Sequence, residues 1–227
     1  GGHRAAAEAI RDALYKLYGE DQAKGSMVDV FRDYSPYPLN KFPEIYPWLV
    51  NNSKRSYALI FKMSNRTGNI GALQRGVYYM LGIEKGFKRL LREHPADLIV
   101  SVHPLVNRPM LDALRKFEQH PPYMIVVTDL VSGHVSWWDA RCDRCLVPTQ
   151  PAFDAGLANG MNADQMRITG LPVHPKFAEA LTDKVSARKE LGWDPDLPAV
   201  LMVYGGDGMG PVYETVRAID SKKPPCQ

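Results

Sequence analysis

Four short apolar runs divide the middle of the chain: DLIVSVHP at 97–104, PYMIVVTDL at 122–130, RCLVP at 144–148 and MRITG at 166–170. A run without polar alternation predicts a strand buried on both faces. Amphipathic helical patterns at 105–119 and 150–159 lie among these runs. Buried strands separated by helices predict an α/β fold built on a parallel sheet covered on both sides. That architecture also says where a ligand goes, because open parallel sheets bind beyond the carboxyl ends of their strands. His103, Asp129 and Gly170 follow three of the runs, so they are expected along that one edge.

The chain opens GGHRAAAEAIRDALYKLYG, where Ala6, Ala9, Ile10, Ala13, Leu14 and Leu17 recur at helical steps before Gly19 ends the pattern. MVDVFRDY at 27–34 reads as a strand, which makes the opening a glycine turn, a helix and a strand, half of a βαβ unit without its first strand. A charged helical segment at about 176–192 and the stretch DPDLP read as a linker. AVLMVYGGDGMGPVYETVRAI at 199–219 then repeats the order of buried strand, glycine turn and helix, the start of a second Rossmann-like domain. The expected organisation is therefore a first domain at 1–175, a linker at 176–198 and an incomplete second domain at 199–227.

Charge enters through its distribution. The net charge is +3, which by itself does not point to nucleic acid. Between residues 34 and 92, however, Lys41, Lys54, Arg55, Lys62, Arg66, Arg75, Lys85, Lys88, Arg89 and Arg92 face only Glu44 and Glu84. Tyr37, Phe42, Tyr46, Trp48, Tyr57, Phe61, Tyr78, Tyr79 and Phe87 are interleaved with them. Cations among aromatic residues on helices suit an anionic lipid surface, and they equally suit amphipathic helices with solvated lysines and buried rings. No nucleic-acid motif accompanies the charge, so no nucleic-acid partner is expected. No window approaches the ~20 apolar residues of a membrane span. The three cysteines suit a reducing, intracellular setting.

His3 falls at the start of the first helix, where the positive end of the helix dipole favours the neutral ring that a general base requires, or where it simply caps the helix. Asp129 could orient or charge-stabilise an imidazole, with His103 and His134 as further titratable candidates, or each could satisfy loop backbone groups. GGDGMGP at 205–211 sits where a strand passes into a helix, so its backbone N–H groups could cradle a phosphate or merely make a tight turn. Trp137 and Trp138 are adjacent; one is expected to pack inward and the other to project, unless both are core. Cys142 and Cys145 have no second pair to complete a metal site, and none is expected.

These stretches in order, with YPLN, SGHVSWW and RITGLPVHPKF, resemble the monogalactosyldiacylglycerol synthase family, itself similar to the bacterial enzyme that transfers N-acetylglucosamine onto a lipid-linked peptidoglycan precursor. The resemblance implies a GT-B fold, two Rossmann-like domains facing across a cleft, here truncated at both ends. It implies an inverting transfer of a hexose, most of all galactose, from a UDP-sugar to 1,2-diacylglycerol at an anionic membrane surface. His3 falls in the place of the catalytic base, and Pro38 and Trp137 in the places tied to acceptor or membrane engagement. From their positions in the chain, Asp129 is added to the catalytic set and His134 to the acceptor- or membrane-binding set. Gly205, Gly206, Asp207, Gly208, Met209 and Gly210 form the loop facing the donor diphosphate. No cofactor and no metal are implied, the UDP-sugar being a substrate.

Two departures stand out. The family pattern T-C-H-P-T-W-F is here Ser132-Gly133-His134-Val135-Ser136-Trp137-Trp138, and G-G-G-E-G-M-G is Tyr204-Gly205-Gly206-Asp207-Gly208-Met209-Gly210. Asp207 keeps the charge, whereas Tyr204 adds bulk beside the expected phosphates. The alternatives are a UDP-N-acetylglucosamine transferase acting on a polyprenyl-linked precursor, and a non-catalytic module that binds membrane surfaces. The implied location is peripheral, on the cytoplasmic face of the inner or plasma membrane, or on the plastid envelope in a plant.

Overall fold

A computed structural model describes residues 2–53, 55, 59, 61–62, 64–65, 82–179, 183–203 and 210–227. Contacts divide the chain into two compact units, 1–174 and 175–227. The first holds the expected α/β structure: strands β1 (Ile99–Ser101), β2 (Tyr123–Val126), β3 (Arg144–Val147) and β4 (Met166–Ile168) form one four-stranded sheet in the order β1-β2-β3-β4. All three pairings are parallel, with Ile99 opposite Tyr123, Met124 opposite Arg144 and Cys145 opposite Met166.

Nine α-helices are seen among the described residues. In the first unit they are α1 (Gly2–Tyr18), α2 (Val30–Tyr34), α3 (Phe42–Asn52), α4 (Ile83–Glu93), α5 (Pro104–Leu114) and α6 (Gln150–Ala158). Helix α5 joins β1 to β2 and α6 joins β3 to β4, the crossover helices that parallel neighbours require. Both are capped at their start by side chains that accept backbone N–H groups, His103 for α5 and Thr149 for α6. The core gathers Phe87 and Leu90 of α4, Met110, Leu111 and Leu114 of α5, Tyr123 and Ile125 of β2, Val147 of β3, and both Trp137 and Trp138.

The opening departs from expectation in two ways. Residues 30–34 are the helix α2, not a strand, because Asp29 caps them by accepting the Arg32 N–H at 3.1 Å and no neighbouring strand offers a ladder there among the described residues. The apolar stripe of α1 is buried only at Ala6 and Ala9, whereas Leu14 and Leu17 are exposed. Helix α2 instead packs on α4, so closely that a Cβ on Gly86 would lie 1.7 Å from the Tyr34 carbonyl oxygen. Only glycine allows that approach.

One buried side chain joins the layers. Asn107 of α5 has no solvent exposure. Its Oδ1 accepts the Ser101 hydroxyl of β1 at 2.6 Å and the Tyr123 hydroxyl of β2 at 3.1 Å. Its Nδ2 donates to the carbonyls of Ser136 and Trp137, each at 3.4 Å. Burial pushes the Tyr123 phenol far above its ordinary range, so the hydroxyl keeps the proton it donates to Asn107.

The second unit contains helices α7 (Lys176–Glu179), α8 (Lys184–Glu190) and α9 (Val212–Lys222), and no strand among the described residues. The expected strand at 199–203 is absent: Leu201 and Val203 are 84% and 79% exposed, and a parallel strand without a partner has no ladder to form. The expected linker at 176–198 carries α7 and α8 and is tied down. Arg188 donates to the carbonyls of Asp194, Pro195 and Leu197, and Gln227 bonds both Asp194 and Val200.

Replacing Asn107 with Leu keeps volume but leaves two buried hydroxyls and two carbonyls without their partner. Loss of about 3 kcal/mol of stability is expected, read as a lower urea midpoint at unchanged slope.

Candidate active site

The carboxyl ends of β1 and β2 and the first turn of α1 converge on one cluster. Val126 ends β2, and the two residues just beyond Val127 are Thr128 and Asp129; His103 lies two residues beyond β1. His3 Nδ1 is 3.0 Å from the Thr128 hydroxyl. Its ring centroid is 4.5 Å from that of His103 and 6.0 Å from that of Trp137. Phe31 of α2 packs edge-on against His103 at 5.1 Å, closing the far side. The chain ends of three elements thus bring His3, His103, Thr128, Asp129 and Trp137 together at the edge where an open parallel sheet binds ligands.

Burial decides the charge state. It pushes His3 below the ordinary histidine value of 6.5, against the opposing pull of the Asp129 carboxylate and the Val102 carbonyl. For His103 burial is reinforced by repulsion from His3, and its pKa is pushed down to about 3. His134 is also lowered by burial, with Asp129 again pulling the other way. Near neutral pH the cluster therefore holds neutral imidazoles beside one carboxylate. A neutral imidazole can take a proton, and the neighbouring carboxylate stabilises the cation that results.

Trp137 is wholly buried and Trp138 is 5% exposed, so neither ring projects. Of the two readings open from the sequence, the structure has both tryptophans in the core. Trp137 instead donates its indole N–H to Asp129 Oδ2 at 2.7 Å. Gly133 allows this, because a Cβ there would lie 2.9 Å from Trp137 Cδ1. His134 is buried too: its Nδ1 accepts the Ser136 N–H, and Nε2 lies 3.1 Å from the Ser64 hydroxyl. Val135 N–H donates to Asn65 at 2.7 Å, so this loop is fastened to residues 64–65.

Pro38 is exposed, in the turn between α2 and α3, outside the imidazole cluster. That segment reaches the cluster through stacked rings, Phe31 to Phe42 at 5.5 Å and Phe42 to Tyr46 at 5.6 Å. Gly1 and the expected donor-loop residues Gly205, Gly206, Asp207, Gly208 and Met209 lie outside the described residues. Gly210 is described: exposed, with φ +123°, just before α9. Cys142 and Cys145 are buried, and burial pushes both thiols up to about 12, so neither is a ready thiolate.

Thr128 was not anticipated from the sequence. It is the first polar residue after the apolar run of β2, a position that faces the binding edge whenever the strand is buried. Phe31 was hidden for a different reason: the strand reading of 27–34 gave no ground for pairing it with His103.

The family model described as "Monogalactosyldiacylglycerol (MGDG) synthase" matches residues 3–173. The chain is 37% identical over 224 residues to the probable monogalactosyldiacylglycerol synthase 2, chloroplastic, of Oryza sativa subsp. japonica, covering 98% of this chain and 47% of that protein. It is 36% identical over 223 residues to monogalactosyldiacylglycerol synthase 2, chloroplastic, of Arabidopsis thaliana, covering 97% and 47%. With monogalactosyldiacylglycerol synthase 1, chloroplastic, of the same plant the identity is 34% over 224 residues, covering 96% and 41%. The chain spans about half the length of the curated relatives it matches.

The neutral state of these imidazoles links stability to pH. The unfolded chain takes up a proton near 6.5 at each, whereas folded His103 resists protonation down to about 3. His103 therefore contributes fully above pH 6.5, and its contribution falls on acidification at a slope of about 1.4 kcal/mol per pH unit. Urea midpoints of wild type and His103→Asn measured between pH 7 and 5 should converge as pH falls.

Proposed function

Because the chain belongs to the monogalactosyldiacylglycerol synthase family, we propose that the protein carrying it transfers galactose from UDP-galactose to 1,2-diacylglycerol with inversion at the anomeric carbon. The observation that carries this reading is His3: a half-buried imidazole, its pKa lowered by desolvation, fixed to Thr128 near the Asp129 carboxylate at the carboxyl edge of the sheet. In the tautomer that donates Nδ1–H to Thr128, His3 Nε2 carries the lone pair that receives the proton of the acceptor hydroxyl. As that O–H bond breaks, the oxygen forms its bond to the anomeric carbon, and the bond from that carbon to the β-phosphate oxygen breaks with its electron pair leaving on UDP. Asp129, oriented by the Trp137 indole, stabilises the imidazolium formed. The glycine-rich sequence at 205–210 is the proposed site for the donor's diphosphate.

The acceptor is a lipid, and the segment between α2 and residue 65 suits an approach to a bilayer. Tyr37, Ile45, Trp48, Leu59 and Phe61 are exposed there, alongside exposed Arg55 and Lys62. No described helix is long and apolar enough to cross a membrane, so the association proposed is with the surface, each cation near anionic headgroups adding roughly 1 kcal/mol. The relatives are named as chloroplastic, which supports a plastid as its setting.

In the complete protein, His3→Ala should lower galactose transfer by about 10²- to 10⁴-fold while UDP binding, followed by calorimetry, persists. Near-normal turnover would remove His3 from the role of base. The acidic limb of the kcat/KM profile should lie below 6.5, the ordinary histidine value. Since Asp129 raises the His3 pKa, Asp129→Asn should move that limb to lower pH as well as slow the reaction. Sedimentation with anionic and with neutral vesicles at low salt should show preference for the anionic ones, lost as salt is added.

A further inference from the structure

His103 has one ring nitrogen engaged and one left over. Nδ1 accepts the Leu105 N–H at 3.3 Å, closing the first turn of α5, so the single proton of the neutral ring resides on Nε2. Among the described residues Nε2–H has no hydrogen-bond partner, and it is not one of the sealed, unpartnered polar atoms, which are Asn40 Oδ1 and Trp138 Nε1. The ring is held between His3, at 4.5 Å, and Phe31, at 5.1 Å. An unused, accessible N–H donor thus stands beside the base, on a ring locked by a helix cap and an aromatic neighbour.

The chemistry of the partner follows from that donor. The ring stays neutral, so it suits an uncharged acceptor oxygen more than a phosphate, which would draw a second proton onto it. Its place one ring away from His3 calls for an oxygen belonging to the same molecule as the reacting hydroxyl. In a 1,2-diacylglycerol the carbon next to the hydroxyl-bearing one carries an ester, whose carbonyl is a strong neutral acceptor.

Resting on the transferase reading above, we propose that His103 Nε2–H donates to the ester carbonyl oxygen adjacent to the hydroxyl that His3 deprotonates, so that His103 reads the acceptor as a diacyl lipid and sets its hydroxyl on the base. An acceptor whose chains are joined by ethers lacks that carbonyl and loses the contact. The pair of imidazoles divides the work: His3 takes the proton, and His103 holds the neighbouring oxygen.

The test compares kcat/KM of the complete protein on 1,2-diacylglycerol and on a 1,2-dialkylglycerol of matched chain length in mixed micelles. The wild type should favour the diacyl lipid by about 5- to 10-fold, the scale of one neutral hydrogen bond. His103→Asn keeps an oxygen to cap Leu105 and removes the distal donor. It should lose that factor on the diacyl lipid alone, bringing the ratio near one. His103→Gln, whose amide N–H reaches farther, should restore part of the preference. An unchanged ratio in His103→Asn, or an equal loss on both lipids, overturns the assignment while leaving the transferase reading intact. Absence of sugar transfer by the wild type onto either lipid overturns the transferase reading and this inference with it.

Discussion

The site depends on the buried amide of Asn107. It meets β1, β2 and the 136–137 turn together, through Ser101, Tyr123 and two backbone carbonyls. Holding the Trp137 backbone holds its indole, the indole orients Asp129, and Asp129 acts on His3 through space. Each link is short-range, so a displacement at the first is felt at the last. A network of this kind in a low-dielectric interior is strong when complete and costly when one member is missing.

A second brace lies alongside it. Asp139 is buried, and burial alone would raise its carboxyl, yet Arg141 holds it below the usual range through contacts of 2.8 Å and 2.6 Å. Arg141 also reaches Asp112 of α5 at 2.5 Å. The loop between β2 and β3 carries no long crossover helix, so these charge-assisted bonds and the amide of Asn107 give it the rigidity a helix would otherwise provide. Side chains set on such a loop can hold their geometry as well as those on regular elements.

Burial and charge compete throughout the cluster, and burial prevails at His3, His103 and His134 alike. The outcome is a set of neutral rings whose roles differ by hydrogen bonding alone. His134 has both nitrogens engaged, by Ser136 and Ser64. His103 has one engaged, and His3 is fixed at Nδ1 with Asp129 near enough to welcome a proton. One residue type is thus held in three different ways.

From the sequence alone came the α/β class, the four parallel strands and the edge where His103 and Asp129 collect, because continuous apolar runs and helical periodicity are local signals that survive without knowledge of partners. The Gly-Gly-His opening likewise marked His3 at the start of a helix. Tertiary structure alone decided what those residues do to one another. That Trp137 turns inward to Asp129, that Thr128 fixes His3, that 27–34 ends in a helix and that 199–203 forms no strand all depend on contacts between segments far apart in the chain. Periodicity says which face of an element is apolar; which neighbour covers it is settled only by packing, and hydrogen-bond partners and pKa values follow from that neighbour.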